Sequence, residues 1–344
     1  MLTVEYIPML YYDAIAVRLT DDNGIAHNII VDGGEINSPK FCYTDRLKKV
    51  LEGIFNRGES IDLWIVTHID NDHIGGIYNF IDDNDFFELH QESLKEVWMN
   101  YVGKDDFIVQ RTGIIGFNSG KKLRDVLLEK NICVKGGINT GYTKTIKDAA
   151  ITVLAPDRDV YDRYIDWWNN HEFVDNVETS DGLISSRDWD YDVKFKDFDL
   201  SRYNEDNEVK NNSSIAFVLS YHDNQILFSA DSCSSQIMRG LEKADLVKEG
   251  RVKLSLVHIP HHGSSRNSSL DFFKSIDCPQ YVITGNGDNK YKLPDKETIA
   301  RLIAANQSGV RLYFTEWNSI LQEIFAEEER CNLELSNEVK FVFE

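Results

Sequence analysis

Cysteine, long apolar runs and positive charge are all scarce in this 344-residue chain, and each shortage excludes a class of protein. The five cysteines (Cys42, Cys133, Cys233, Cys278, Cys331) are scattered and odd in number. No two are spaced as a zinc knuckle or a redox pair, so reduced, buried thiols of a cytoplasmic protein are expected. No run of about 18 uncharged apolar residues occurs, which excludes a membrane-spanning helix. Basic residues number 37 against 57 acidic ones, a net charge of −20. A protein that coats nucleic acid by neutralising phosphates with Lys and Arg is therefore excluded, although a local basic groove is not. The stretch Met1 to Tyr12 carries Glu5 and no basic start, so it does not read as a secretory signal. Internal repeats and low-complexity tracts are also missing.

What remains is an ordinary globular composition, 42% hydrophobic and 27% charged, enough to bury a core in one domain over 1–344. Ala14 to Leu19 and Ile25 to Val31 flank Asp21-Asp22-Asn23-Gly24, a hairpin signal. Thr44 to Asn56 reads as a helix capped by Thr44 or Asp45, with Leu47, Val50, Leu51 and Ile54 on one stripe. Ile61 to Val66 is a short strand of the doubly covered kind, followed by a polar loop and a helix from about Ile74. Later strands are expected at Ile215–Tyr221, Gln225–Ala230, Leu254–Ile259, Tyr281–Thr284 and Val339–Phe343, with a helix over Asp295–Ala305. The class is α+β with mixed sheets. Residues 157–208 stand apart, with 16 acidic and six basic residues, half of the whole negative charge. They read as an acidic insertion: a solvated surface segment, or a lid or docking element for a protein partner. Trp167, Trp168 and Trp189 favour packing over solvation, because aromatics contribute most when buried.

The sharpest feature is Thr67-His68-Ile69-Asp70-Asn71-Asp72-His73-Ile74-Gly75-Gly76, which places four potential metal ligands in six residues directly after a strand. A loop there could turn His68, Asp70, Asp72 and His73 toward one point, and imidazole with carboxylate suits zinc, manganese or iron. The plainer alternative is a polar loop with a capping Asp72. Pro260-His261-His262-Gly263-Ser264-Ser265 also follows a strand, with one of its two adjacent histidines expected to face a given metal. Asp231 lies at the exit of a third strand, where a turn or helix cap is the plain reading.

Together these motifs resemble the metallo-β-lactamase superfamily, and within it the branch containing the C-terminal domain of the competence protein ComEC. Asp13-Ala14, Val31-Asp32-Gly33-Gly34, Val153-Leu154-Ala155-Pro156 and Asn211-Asn212-Ser213-Ser214-Ile215 are similar to further segments of that branch. The resemblance implies a four-layer αββα sandwich and two divalent metal ions, zinc or manganese with magnesium as a further candidate. His68 and Asp70 would hold the first, and Asp72 and His73 the second with His261 or His262, while Asp231 bridges them. Two departures stand out. Lys210-Asn211-Asn212 occupies the place of a superfamily histidine, leaving the first metal short of a third protein ligand. Leu293 stands where the branch carries the histidine of Gly-His-Pro.

The implied activity is that of a phosphodiesterase or nuclease using a metal-bound hydroxide, oriented by Asp72. Ser264, Ser265, Asn267, Asn212, Lys290, Lys292 and Arg266 are candidates for holding the phosphate of a nucleic acid or other phosphoester. The alternatives are hydrolysis of a small charged ester or cyclic nucleotide, favoured by the −20 charge, and a partner-docking module with a degenerate metal site.

Overall fold

Alternation along each strand sorts the apolar side chains into three separate cores. The fold is a computed structural model that describes residues 1–102, 118–171, 189–325 and 333–344. One sheet contains β1 (Leu2–Tyr6), β2 (Ala14–Thr20), β3 (Ala26–Asp32), β4 (Ile61–Ile65), β5 (Val97–Trp98), β6 (Val134–Lys135) and, at its other edge, β17 (Lys340–Phe343) beside β1. The second contains β7 (Thr143–Ile146), β8 (Ala149–Ala155), β9 (Ala216–Tyr221), β10 (Asn224–Phe228), β12 (Leu256–His258), β14 (Gln280–Ile283), β15 (Val310–Phe314) and β16 (Leu333–Ser336). β11 (Val252–Lys253) and β13 (Ile276–Asp277) form a small parallel pair.

Ile29 and Val31 on β3 face Phe217, Leu219 and Phe228 of the other sheet in a shared central core, whereas the intervening Ile30 points outward. The outward face of the first sheet is covered by α1 (Lys48–Asn56), α2 (Asn71–Asp82), α3 (Asn84–His90), α4 (Asn118–Glu129) and α5 (Arg158–His171). A short α6 (Val209–Asn212) leads into β9. The outer face of the second sheet, with Val218, Leu227 and Tyr281, is covered by α7 (Ser234–Lys243), α8 (Leu270–Ser275), α9 (Lys296–Ala305) and α10 (Ser319–Ile324). Helix, sheet, sheet, helix is the expected αββα sandwich. Each sheet is antiparallel at one side and parallel at the other: β3 and β4 run parallel, as do β10, β12 and β14. The C-terminal ends of these five strands therefore bring their loops to one edge of the sandwich.

The hairpin is present, with Ala14 opposite Asp32. Three details depart from expectation. The first helical stretch starts with a wide turn at Cys42–Leu47, so Thr44 and Asp45 lie inside it and do not cap it; Thr44 Oγ1 donates instead to Lys40 O. Helix α2 begins at Asn71, before Ile74, which puts Asp72 and His73 on its first turn. Cys133 is exposed while Cys42, Cys233 and Cys278 are buried; Cys331 lies outside the described residues.

The acidic segment is not solvated throughout. Tyr164 and Trp168 of α5 are fully buried in the outer core of the first sheet, and Tyr164 donates to Asn100 O. Further along, Asp190 accepts hydrogen bonds from the Lys296 and Glu297 amides at the start of α9, and Tyr191 donates to Pro294 O. Trp189 is exposed, with the Lys292 ammonium 3.6 Å from its ring centre. Residues 172–188, and with them part of the lid or partner-docking expectation, lie outside the described residues. Among the described residues no helix is long and apolar enough to cross a membrane.

Candidate metal centre

The double glycine after His73 explains where the first ligands sit. A Cβ on Gly75 would lie 2.2 Å from the Glu35 carbonyl carbon, and one on Gly76 2.6 Å from Gly33 Cα. Helix α2 thus packs directly on the Gly33–Gly34 turn that ends β3, with the Gly75 amide donating to Gly34 O at 2.7 Å. This contact tucks the first turn of the helix against the strand ends, and His68, from the loop before it, faces the same point.

Asp231 organises the cluster. Its Oδ1 lies 3.5 Å from His73 Nε2 and 4.0 Å from His262 Nε2, while its Oδ2 lies 3.7 Å from His68 Nε2 and 3.4 Å from His261 Nε2. Asp72 Oδ2 is 3.8 Å from His73 Nε2 and 3.6 Å from His262 Nε2. The ligand atoms of His68, His73 and Asp231 lie within 4.8 Å of one another, as do those of Asp72, His73 and His262. Both histidines of the Pro-His-His motif reach Asp231, from its two different oxygens. Their consecutive left-handed backbones, φ 48° and 55°, fan the rings apart, and of the two only His262 belongs to a compact ligand group among the described residues.

Behind the ligands stands a layer that the sequence motifs did not reveal. Asp32 Oδ2 accepts from His73 Nδ1 at 2.9 Å and from Thr67 Oγ1 at 2.7 Å, and that hydroxyl lies 3.2 Å from His68 Nδ1. One carboxylate therefore orients two imidazoles and turns both Nε2 atoms inward. Thr284 Oγ1 and Asp13 Oδ1 stand 3.0 and 3.4 Å from His262 Nδ1. His261 Nδ1 donates to Asn267 Oδ1, and the Asn267 amide donates to Asp231 O. Asn267 is thus engaged in positioning rather than free for a phosphate. The available signal was positional: Asp32 closes β3 before a double glycine, at the same sandwich edge as His68.

The charges follow from this packing. Burial alone would raise the Asp72 and Asp231 carboxyls, but neighbouring imidazoles overcome it and hold both below the usual carboxylate range. Burial alone would lower the His73 imidazole, yet Asp231, Asp32 and Asp72 raise it well above its ordinary value. His262 is pushed up to about 10 by Asp13 and Asp72 against the same burial. His68 goes down, through burial and the nearby His73.

Among the described residues, His68 Nε2, His73 Nε2, His262 Nε2 and Asp231 Oδ1 are buried without any hydrogen-bond partner. One such orphan costs about 1–3 kcal/mol. These residues belong to two overlapping groups of three, His68 with His73 and Asp231, and His73 with His262 and Asp72. Contacts of 3.5–3.8 Å within these groups are slightly wider than the ~3.3 Å edge of a tetrahedral site with ~2.0–2.1 Å bonds. The donor set fits a divalent metal.

Of the remaining candidates, Asp70 is 4.0 Å from His68 Nε2 and accepts from Lys210 Nζ at 2.6 Å. Ser264 and Ser265 are buried, and the Ser265 amide donates to Asp295. Asn212 donates to Asp206 O and accepts from Gln236. Lys290 is exposed, its ammonium 5.4 Å from the Tyr291 ring centre. Asp231 does not cap α7, whose N-cap is Cys233, and His222 sits away from the cluster in the β9–β10 hairpin.

No protein-family model matches the chain, and neither does any curated protein. Solved structures do resemble it in fold. The metallo-β-lactamase fold protein YhfI from Bacillus subtilis aligns over 99% of this chain and 98% of its own, with 10% identity and a TM-score of 0.41. A diphosphatase of the PhnP family aligns over 100% and 98%, with 12% identity and a TM-score of 0.42. A possible metal-dependent hydrolase from Veillonella parvula DSM 2008 aligns over 99% of each chain, with 8% identity and a TM-score of 0.44. No site residue is carried over from likenesses this distant, and the competence-type resemblance rests on the sequence motifs alone.

Proposed function

We propose that the chain is a divalent-metal-dependent phosphodiesterase. The observation that carries this reading is the convergence of unpartnered His68, His73, His262 and Asp231 atoms at the sandwich edge, with Asp72 beside them. A divalent cation held there supplies a lowered pKa for water and charge to offset developing negative charge on phosphoryl oxygens. The protein supplies geometry. Asp32 fixes the His73 and His68 rings, Thr284 and Asp13 fix His262, and Asn267 fixes His261 and the Asp231 backbone. Asp72 retains 29% side-chain exposure, so its carboxylate borders the open side and orients the attacking water there.

Phosphodiesters range from nucleic acid to small cyclic nucleotides. Among the described residues, three of the basic candidates have partners: Lys210 with Asp70, Arg266 with Asp206, and Lys292 over Trp189. That engagement favours a small charged substrate over a long polyanion. A panel of labelled single- and double-stranded DNA, RNA, and linear and cyclic nucleotides, each with manganese, magnesium and zinc, tests the reading. Turnover of a phosphodiester that stops on chelation is expected. Metal-independent turnover, or none across the panel, would sink it.

A further inference from the structure

The two carboxylates that frame the first metal-ligand motif have different fates. Asp72 belongs to a compact ligand group; Asp70 belongs to none of the compact groups among the described residues. Asp70 Oδ1 is instead bound by the Lys210 ammonium at 2.6 Å, and that side chain keeps only 18% of its exposure. Lys210 lies on α6, in the segment where the resemblance calls for a histidine ligand. An ammonium offers three donors and no lone pair, so it cannot ligate a metal; it can only compete with one for a carboxylate. Without Asp70 and without that histidine, the first group retains His68 and Asp231, its third member His73 being shared with the Asp72–His262 group, and His261 Nε2 lies 3.4 Å from Asp231 Oδ2.

We propose that Lys210 takes the place of the first metal ion, so that the centre holds one divalent cation per chain and uses the Lys210–Asp70 pair as a built-in substitute for the second. The inference rests on the metal-centre reading above and changes its ion count. It gives Asp70 a charge-balancing role beside His68, and it gives α6 a reason to present Lys210 toward the loop after β4. The surrounding carboxylates are then balanced by one dication and one fixed monocation.

The test counts ions and needs no substrate. The full chain is equilibrated with excess zinc, desalted and analysed for zinc per chain. One equivalent is expected for the wild type and for Asp70→Asn. Lys210→His, which restores a ligand and frees Asp70, should retain two. Lys210→Met, which frees Asp70 without adding a ligand, should bind a second Mn2+ at least tenfold more tightly than the wild type in a titration followed by electron paramagnetic resonance. Circular dichroism establishes that each variant is folded. Two tightly held zinc ions in the wild type would overturn this inference while leaving the hydrolase reading intact. So would loss of the single zinc in Asp70→Asn, or an unchanged ion count in both folded Lys210 variants. Retention of no zinc by the wild type would overturn the metal-centre reading and this inference with it.

Discussion

The two halves of the centre begin in the same six residues and end differently. On one side, Asp72 and His73 meet His262 from the loop after β12, and each imidazole has a buried partner behind it, Asp32 for His73 and Thr284 with Asp13 for His262. On the other side, Asp70 stands 4.0 Å from His68 Nε2 and is held by Lys210. Spacing in a motif is therefore a poor guide to occupancy. Both halves have oriented groups behind their imidazoles, Asp32 through Thr67 for His68 included. What distinguishes them is the partner of the motif carboxylate, Lys210 for Asp70 and the His73 and His262 imidazoles for Asp72.

The difference is sharpest at the ligand itself. Asp72→Ala should cost about a thousandfold or more in turnover, some 4 kcal/mol of barrier. A fully folded Asp72→Ala that turns over at near-normal rate would remove the distinction between the halves. Asp231 lies within 4.0 Å of an Nε2 of His68, His73, His261 and His262, so the metal content of Asp231→Ala should collapse. His222→Ala, in the distant β9–β10 hairpin, should keep its full metal content, and elemental analysis of the pair decides.

One step outward, Asp32→Asn keeps the shape but weakens the acceptor that orients His73 and His68. A roughly 10–100-fold loss in metal affinity or activity is expected, measured by zinc competition; an unchanged affinity would mean that the buried layer does not hold the ligands. Gly75→Ala should act on both halves at once. Its Cβ has only backbone within 2.2–2.4 Å, so relief must come from moving α2, at a cost of roughly 1–3 kcal/mol or more in denaturant unfolding. The smallest effect should come from the Lys210 side. Asp70→Asn is expected to lower turnover less than tenfold, and a drop comparable with that of Asp72→Ala would make the halves equivalent.

Local pattern carried much of this architecture. The Ala14–Thr20 and Ala26–Asp32 hairpin, the strand before His68, Asp231 at a strand exit and the Pro-His-His loop were all legible from alternation and turn chemistry. The start of α2 was not, because Gly75 and Gly76 have poor helix propensity and are explained only by their contact with β3. Asp13, Thr284 and the orienting role of Asp32 were illegible for a related reason: each acts on a histidine brought near by sheet packing, at a separation no window spans. The burial of Trp168 on α5 was anticipated from the run of tryptophans, whereas that of Tyr164 was not, since the acidic average masks it. The fanning of His261 and His262 rests on two successive left-handed residues, a pairing that the Pro-His-His motif does not announce.

Asp231 is met by groups from both sheets, with His68 and His73 following β4 of the first and His261 and His262 following β12 of the second. No stretch of chain shorter than that span can assemble the centre. Such long loop closures come late in folding, after local hairpins and helices have formed. During synthesis, a chain that has emerged only as far as β10 presents His68 and His73 without their partners, and metal capture becomes a signature of the finished sandwich rather than a seed for it. Pulsed metal labelling during refolding should therefore lag behind the burial of Trp64 and Trp98 in the first sheet.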